Sequence, residues 1–283
     1  MIHAGSVTLA SESAGDLDSP PVLMVMGATA SLAWWPDSLF TTLAATGCRV
    51  VRYDHRDTGR STTVSPGQAD YTVEDMVDDL WAVADGHGFE KFHLLGMSLG
   101  GFFGQIAALQ RPDRVLSLTL IASEPLDGCE HDVPPISPAF LEHFAKLGEL
   151  DWQSRDAVVE FMVESARLSA GGGQPFSPEG ARRRAEREID RSSNIQSAFN
   201  HSTLKGGDAY VGRMSEIQTP TLVLHGQDDP IVAIANGERL TERLPNARLH
   251  RLEGVGHELP AARLAEILTE ILDFLAEQTR RTA

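Results

Sequence analysis

Three positions far apart in the chain carry side chains of complementary chemistry: a serine at 98, an aspartate at 228 or 229, and a histidine at 257. Ser98 lies in Gly96-Met97-Ser98-Leu99-Gly100, between an apolar run at 92–95 and a helix-forming run at 102–109. That setting predicts a strand, a sharp turn and a helix, with the flanking glycines letting the two backbones approach closely. A hydroxyl at such a tip stands beside the unpaired N–H groups and partial positive charge of the helix start. Serine is a weak nucleophile at neutral pH, so it needs a base. His257, in Gly254-Val255-Gly256-His257, can take its proton and return it to a leaving alcohol. A carboxylate holds the imidazole in one tautomer and stabilises the imidazolium, and Asp228 and Asp229 both follow a predicted strand and both stand as candidates.

The developing negative charge needs donors. Met26-Gly27-Ala28-Thr29 ends an apolar strand at a glycine, so backbone N–H groups can face a cavity there. Ala28 and Leu99 are the expected oxyanion donors, worth roughly 3 kcal/mol each. Trp34, Trp35, Met97 and Phe102 flank these positions and are the expected pocket residues, with core packing the competing use of the tryptophans. This chemistry requires no metal and no cofactor, and its partner is a small-molecule ester.

Positioning these groups falls to alternating strands and helices. Apolar-rich runs at 21–26, 92–97, 116–122 and 221–226, with a further strand at 48–54, predict a mostly parallel sheet buried on both faces. Val73, Met76, Val77, Leu80, Trp81 and Ala84 recur at helical spacing after Thr72, a suitable N-cap. An edge strand is expected over 7–15, a last strand over 247–252 and a terminal helix over 262–277. The charged loop 55–63 reads as a structural clamp beneath the site. Between 124 and 215 the pattern is helical, around 139–147, 154–170 and 178–199, with Gly171-Gly172-Gly173 a flexible break and Arg182-Arg183-Arg184 a solvated face. The expected organisation is a core of 1–123 and 216–283 and a helical cap of 124–215 over the sheet's C-terminal edge, where open α/β sheets bind ligands.

A net charge of −16 opposes binding to nucleic acid or to an anionic membrane surface. The N-terminus lacks a basic segment followed by an apolar stretch, and no run approaches the ~18 apolar residues of a membrane span, so a soluble, cytoplasmic protein is expected. Cys48 and Cys129 lack metal-ligand spacing and read as free core thiols.

The order Ser98, acid, His257 on strand ends resembles the α/β-hydrolase superfamily over almost the full length. Met26-Gly27, Trp35-Pro36-Asp37, the stretch from Arg52-Tyr53-Asp54 through Gly59-Arg60-Ser61-Thr62, and Gly256-His257-Glu258-Leu259-Pro260 resemble more closely the aclacinomycin methylesterase group. The resemblance implies an α/β-hydrolase fold with its cap inserted after the sixth strand. It also implies Asp229 as the acid, by a Gly-x-x-Asp pattern from Gly226. Its enzymes remove a methyl ester from a bulky polyketide, and the cap with Trp34, Trp35, Phe102 and Phe103 motivates the ring ester of a macrolide as a second substrate class. The chain departs from the group at Ala28-Thr29, where Gly-Asn is usual. The alternatives are a receptor-like binder with little turnover, or carbon–carbon hydrolysis or haloperoxidation on the same triad.

Overall fold

In the computed structural model, which describes residues 1–127 and 133–282, the apolar runs form the interior of a seven-stranded sheet. Its strands are β3 (Ser11–Ala14), β4 (Pro21–Val25), β5 (Arg49–Tyr53), β6 (Phe92–Met97), β7 (Val115–Ile121), β8 (Thr221–Gly226) and β9 (Ala247–Leu252). They lie in the order β3-β5-β4-β6-β7-β8-β9, parallel throughout except for β3. The expected single opening strand is divided. β1 (Ile2–Ala4) and β2 (Val7–Leu9) pair as a separate antiparallel hairpin, and the chain then joins the sheet edge as β3.

Alternation along each strand sends side chains to two cores. From β4, Leu23 and Val25 pack with Met76 and Leu80 of α2 (Val73–Gly86) and Phe103 and Ile106 of α3 (Leu99–Gln110). Val22 and Met24 pack on the other face with Leu39 and Leu43 of α1 (Asp37–Ala45) and Ile267 and Ile271 of the terminal helix, Leu264–Thr282. Thr72 caps α2 through a reciprocal capping box with Asp75. Cys48 is a buried free thiol, while Cys129 lies outside the described residues. Among the described residues no helix is long and apolar enough to cross a membrane.

The helical insertion follows β7, the seventh strand along the chain and the fifth of the main sheet, where the resemblance implied the sixth. It contains α4 (Pro138–Phe144), α5 (Arg155–Ser169) and α6 (Pro178–Arg191). The third predicted helix stops at Arg191, and a 3-10 segment, Ile195–Thr203, continues after Ser192. Val158, Val159 and Met162 of α5 and Ala185 of α6 form a small core of their own. Beyond the insertion come β8, α7 (Ile234–Arg243), β9 and the terminal helix, α8.

Two departures concern how the insertion is attached. The run Gly171-Gly172-Gly173 is no loose hinge: Gly173 N–H donates to Gly254 O at 2.9 Å, and a Cβ at Gly171 would overlap the backbone at Gly254 and Gly256. Of the three arginines, Arg184 turns inward, its guanidinium 5.1 Å from the Trp34 ring centroid. Arg191 reaches the fully buried Asp54 at 2.7 Å, and Asp54 also accepts N–H bonds from Leu32 and Arg60, each at 2.9 Å. Such a buried charge is tolerable because its partners replace water.

Candidate active site

Ser98 stands where β6 turns into α3, with φ 51° and ψ −121°, a conformation a side chain of this kind adopts only under constraint. The constraint is visible. Its N–H donates to Ile121 O at 2.8 Å, and its carbonyl accepts from Gly101 N–H at 2.9 Å and from Ser123 Oγ at 2.9 Å. A Cβ at Gly96 would overlap the Gly100 carbonyl, and one at Gly100 would overlap the carbonyls of Val25 and Met26, so both positions admit glycine alone. The Ser98 side chain makes no capping hydrogen bond to the helix it starts.

Strand order explains the place. β4 feeds β5 on one side while β6 lies on its other side, so the loops after β4 and β6 part and leave a crevice at the sheet's C-terminal edge. Gly27, just after β4, lies against Ser98: a Cβ there would be 3.2 Å from Ser98 Cβ and 3.7 Å from Oγ. Below, the neutral His55 donates Nε2–H to Met26 O at 2.8 Å, with burial holding its ionisation down at about 3. Asp57 accepts from Val64 N–H at 2.6 Å, Tyr71 OH at 2.6 Å and Asn200 Nδ2 at 2.8 Å, so the 55–63 loop serves as a clamp.

Asp229 and His257 meet at 2.8 Å, Oδ2 to Nδ1. The other carboxylate oxygen accepts the N–H groups of Ile231 at 2.9 Å and Val232 at 2.8 Å, which locks the side chain in a fully buried position. With Nδ1–H donated to the carboxylate, His257 keeps a lone pair on Nε2, the arrangement of a general base. Asp228 is exposed instead. His225 is a packed core group whose Nε2–H donates to Val232 O at 2.7 Å.

A cleft of about 250 Å³ opens beside the elbow, lined by Ser98, Leu99, Phe102 and Glu124. Phe102 lines this cleft, and Leu99 starts α3 next to the hydroxyl. Trp35 and Met97 are corrected: both belong to the core on the α1/α8 face, Trp35 with no exposure at all. The 3-10 turn Leu32–Trp34, capped by Ser31, divides the tryptophan pair, and Trp34 packs between that core and the α5/α6 cluster. Glu124 had no local signal, since it follows β7 in an irregular stretch held by a bond from Gln105 Nε2 to its carbonyl at 2.8 Å.

The family model for the alpha/beta hydrolase fold matches residues 20–261. The chain is an α/β hydrolase. It is 32% identical, over 93% of both chains, to rhodomycin D methylesterase DnrP of Streptomyces peucetius, in keeping with the methylesterase group its motifs resemble. It is 31% identical over 93% of its length, and 94% of the relative's, to RutD of Variovorax paradoxus (strain S110), named for carbamate hydrolysis. Among solved structures it resembles Est816, described as an N-acyl homoserine lactone degrading enzyme, with a TM-score of 0.74, 25% identity, and coverage of 96% of this chain and 99% of that one. Fold and relatives together make this α/β hydrolase an enzyme of the hydrolase class, of esterase type.

Proposed function

We propose that this hydrolase cleaves carboxylic esters through Ser98, His257 and Asp229 by way of an acyl-enzyme, acting on a methyl ester of a bulky, largely apolar polyketide-like molecule. The observation that carries the reading is Ser98 itself: strained, free of capping duty and lining a cleft, in a chain that also pairs His257 with a buried Asp229. Ser98 Oγ attacks the carbonyl carbon as its proton passes to His257 Nε2, and the oxyanion rests on the N–H groups of Leu99 and Ala28. Collapse breaks the ester bond, and methanol leaves with the proton from His257. Water then repeats the sequence on the acyl-serine, so ester plus water gives acid plus methanol. The helical insertion, packed along Trp34 and bearing aromatic side chains such as Phe144, Phe161 and Phe199 in mutual contact, supports a large apolar substrate.

A ring ester is the second reading, supported by the lactone-degrading Est816. Mass spectrometry after incubation with methyl esters and macrolactones separates the two: replacement of methyl by hydrogen marks demethylation, and gain of one water marks ring opening. Ser98→Ala is expected to lower p-nitrophenyl ester hydrolysis by about a million-fold. Equal rates for the wild type and this variant overturn the proposal in favour of a binding protein.

A further inference from the structure

The loop carrying Ala28 is held from the insertion. Thr29 has φ 62°, in the left-handed region that a β-branched residue avoids. Its N–H donates to His201 Nδ1 at 3.0 Å. His201 belongs to the 3-10 segment Ile195–Thr203 and is 5% exposed. Its Nε2–H donates to Arg56 O at 2.9 Å, so one ring nitrogen accepts and the other donates, which fixes both tautomer and ring orientation. The His55 and Tyr71 rings stand edge-on at 5.9 and 6.5 Å. Ala28 therefore lies between Gly27, pressed against Ser98, and a strained residue whose amide is anchored by a side chain 172 positions further along.

We propose that His201 is a positioning residue of the oxyanion hole: by accepting the Thr29 N–H it pins the Ala28–Thr29 peptide on one side of Ala28 while Gly27, against Ser98, holds the other, and the two anchors together fix the direction of the Ala28 N–H. The bond opposes a backbone preference that would otherwise return Thr29 to negative φ and rotate the preceding peptide. The inference rests on the esterase reading, with Ala28 as a donor. It accounts for a threonine standing where an asparagine or glycine would need no such support.

In His201→Ala, kcat on p-nitrophenyl butyrate should fall by about 10- to 100-fold with KM changed by less than about twofold, because the donor acts on the transition state. Binding of a trifluoromethyl ketone, which places an oxyanion in the same position, should weaken by a similar factor. Adding Thr29→Asn, which tolerates left-handed φ, should restore part of the lost kcat, a rescue that a general packing defect at His201 does not allow. His201→Gln, which keeps an acceptor and a donor, should lose less than His201→Ala. An unchanged kcat in folded His201→Ala, or a loss that Thr29→Asn does not relieve, overturns the proposal. Amide hydrogen exchange over residues 26–30 reads the anchor without any substrate: it should accelerate in His201→Ala, and unchanged exchange also overturns the proposal. Failure of the esterase reading itself is separately visible as a Ser98→Ala variant with wild-type rate.

Discussion

Asp229 commits one oxygen to its own loop and the other to His257, and neither can be replaced by an amide without loss. In Asp229→Asn the amide oxygen can satisfy the Ile231 and Val232 N–H groups, which turns the NH2 toward His257. Nδ1 must then accept, the proton moves to Nε2, and the base has the wrong tautomer. The expected result is a fall in kcat of roughly ten-thousand-fold with a thermal melt close to the wild type's. Asp228→Asn, at the exposed neighbour, should stay within about twofold. Steady-state rates on one chromogenic ester, with melting curves for both proteins, check the pair. The residue types alone left these two aspartates open, because adjacent loop carboxylates look alike until the turn buries one of them; the resemblance to Gly-x-x-Asp named Asp229.

The element that holds His257 is a seam of glycines. Ser169 O, at the end of α5, accepts His257 N–H at 2.8 Å, and Gly171 N–H donates to Glu258 Oε1 at 3.2 Å. A Cβ at Gly256 would overlap Ser169 O, and one at Gly226 would overlap the carbonyls of Val255 and Gly256. The histidine loop is thus pressed between the strand that leads to Asp229 and the insertion, so displacing α5 displaces His257, the proposed base. Gly171→Ala should destabilise the fold by about 1–3 kcal/mol and lower kcat by roughly tenfold or more on small and bulky esters alike. If KM for bulky esters alone changes, the seam shapes the pocket and leaves the histidine in place. The elbow was legible because Gly96 and Gly100 act on neighbours a few residues away, and His257 because it follows the last strand. The seam was not, since a glycine run encodes flexibility and close approach equally well, and what Gly171 touches lies more than 80 positions along the chain. The tryptophan pair left pocket and core equally open for a related reason: the short 3-10 turn that sends Trp35 into the core and leaves Trp34 partly exposed has no mark in the pair itself.

At the scale of the molecule, alternating strands and helices made the sheet readable from the apolar runs, but the joint between insertion and core depends on polar side chains that pair over long distances. Glu188 of α6 is fully buried there, accepting from Ser31 Oγ at 2.5 Å, while its other oxygen has no partner. Burial, with Asp54 nearby, raises its carboxyl from an ordinary 4.5 to about 7, against the opposing pull of Ser31 and Arg191. The folded state therefore holds this proton more tightly than the unfolded chain. Below about pH 4.5 both states are protonated and the favourable contribution is complete; as pH rises through 7 the folded carboxyl ionises and that contribution is lost. The difference is on the order of 3 kcal/mol. Glu188→Gln keeps the shape and an acceptor for Ser31 without a charge to bury, so its Tm should exceed the wild type's at about pH 8, and the two melting curves should converge as the pH is lowered toward 4.5. A variant less stable than the wild type at pH 8 would mean that the ionised carboxylate, attracted by the nearby Arg191 charge, is what fastens the insertion to the core.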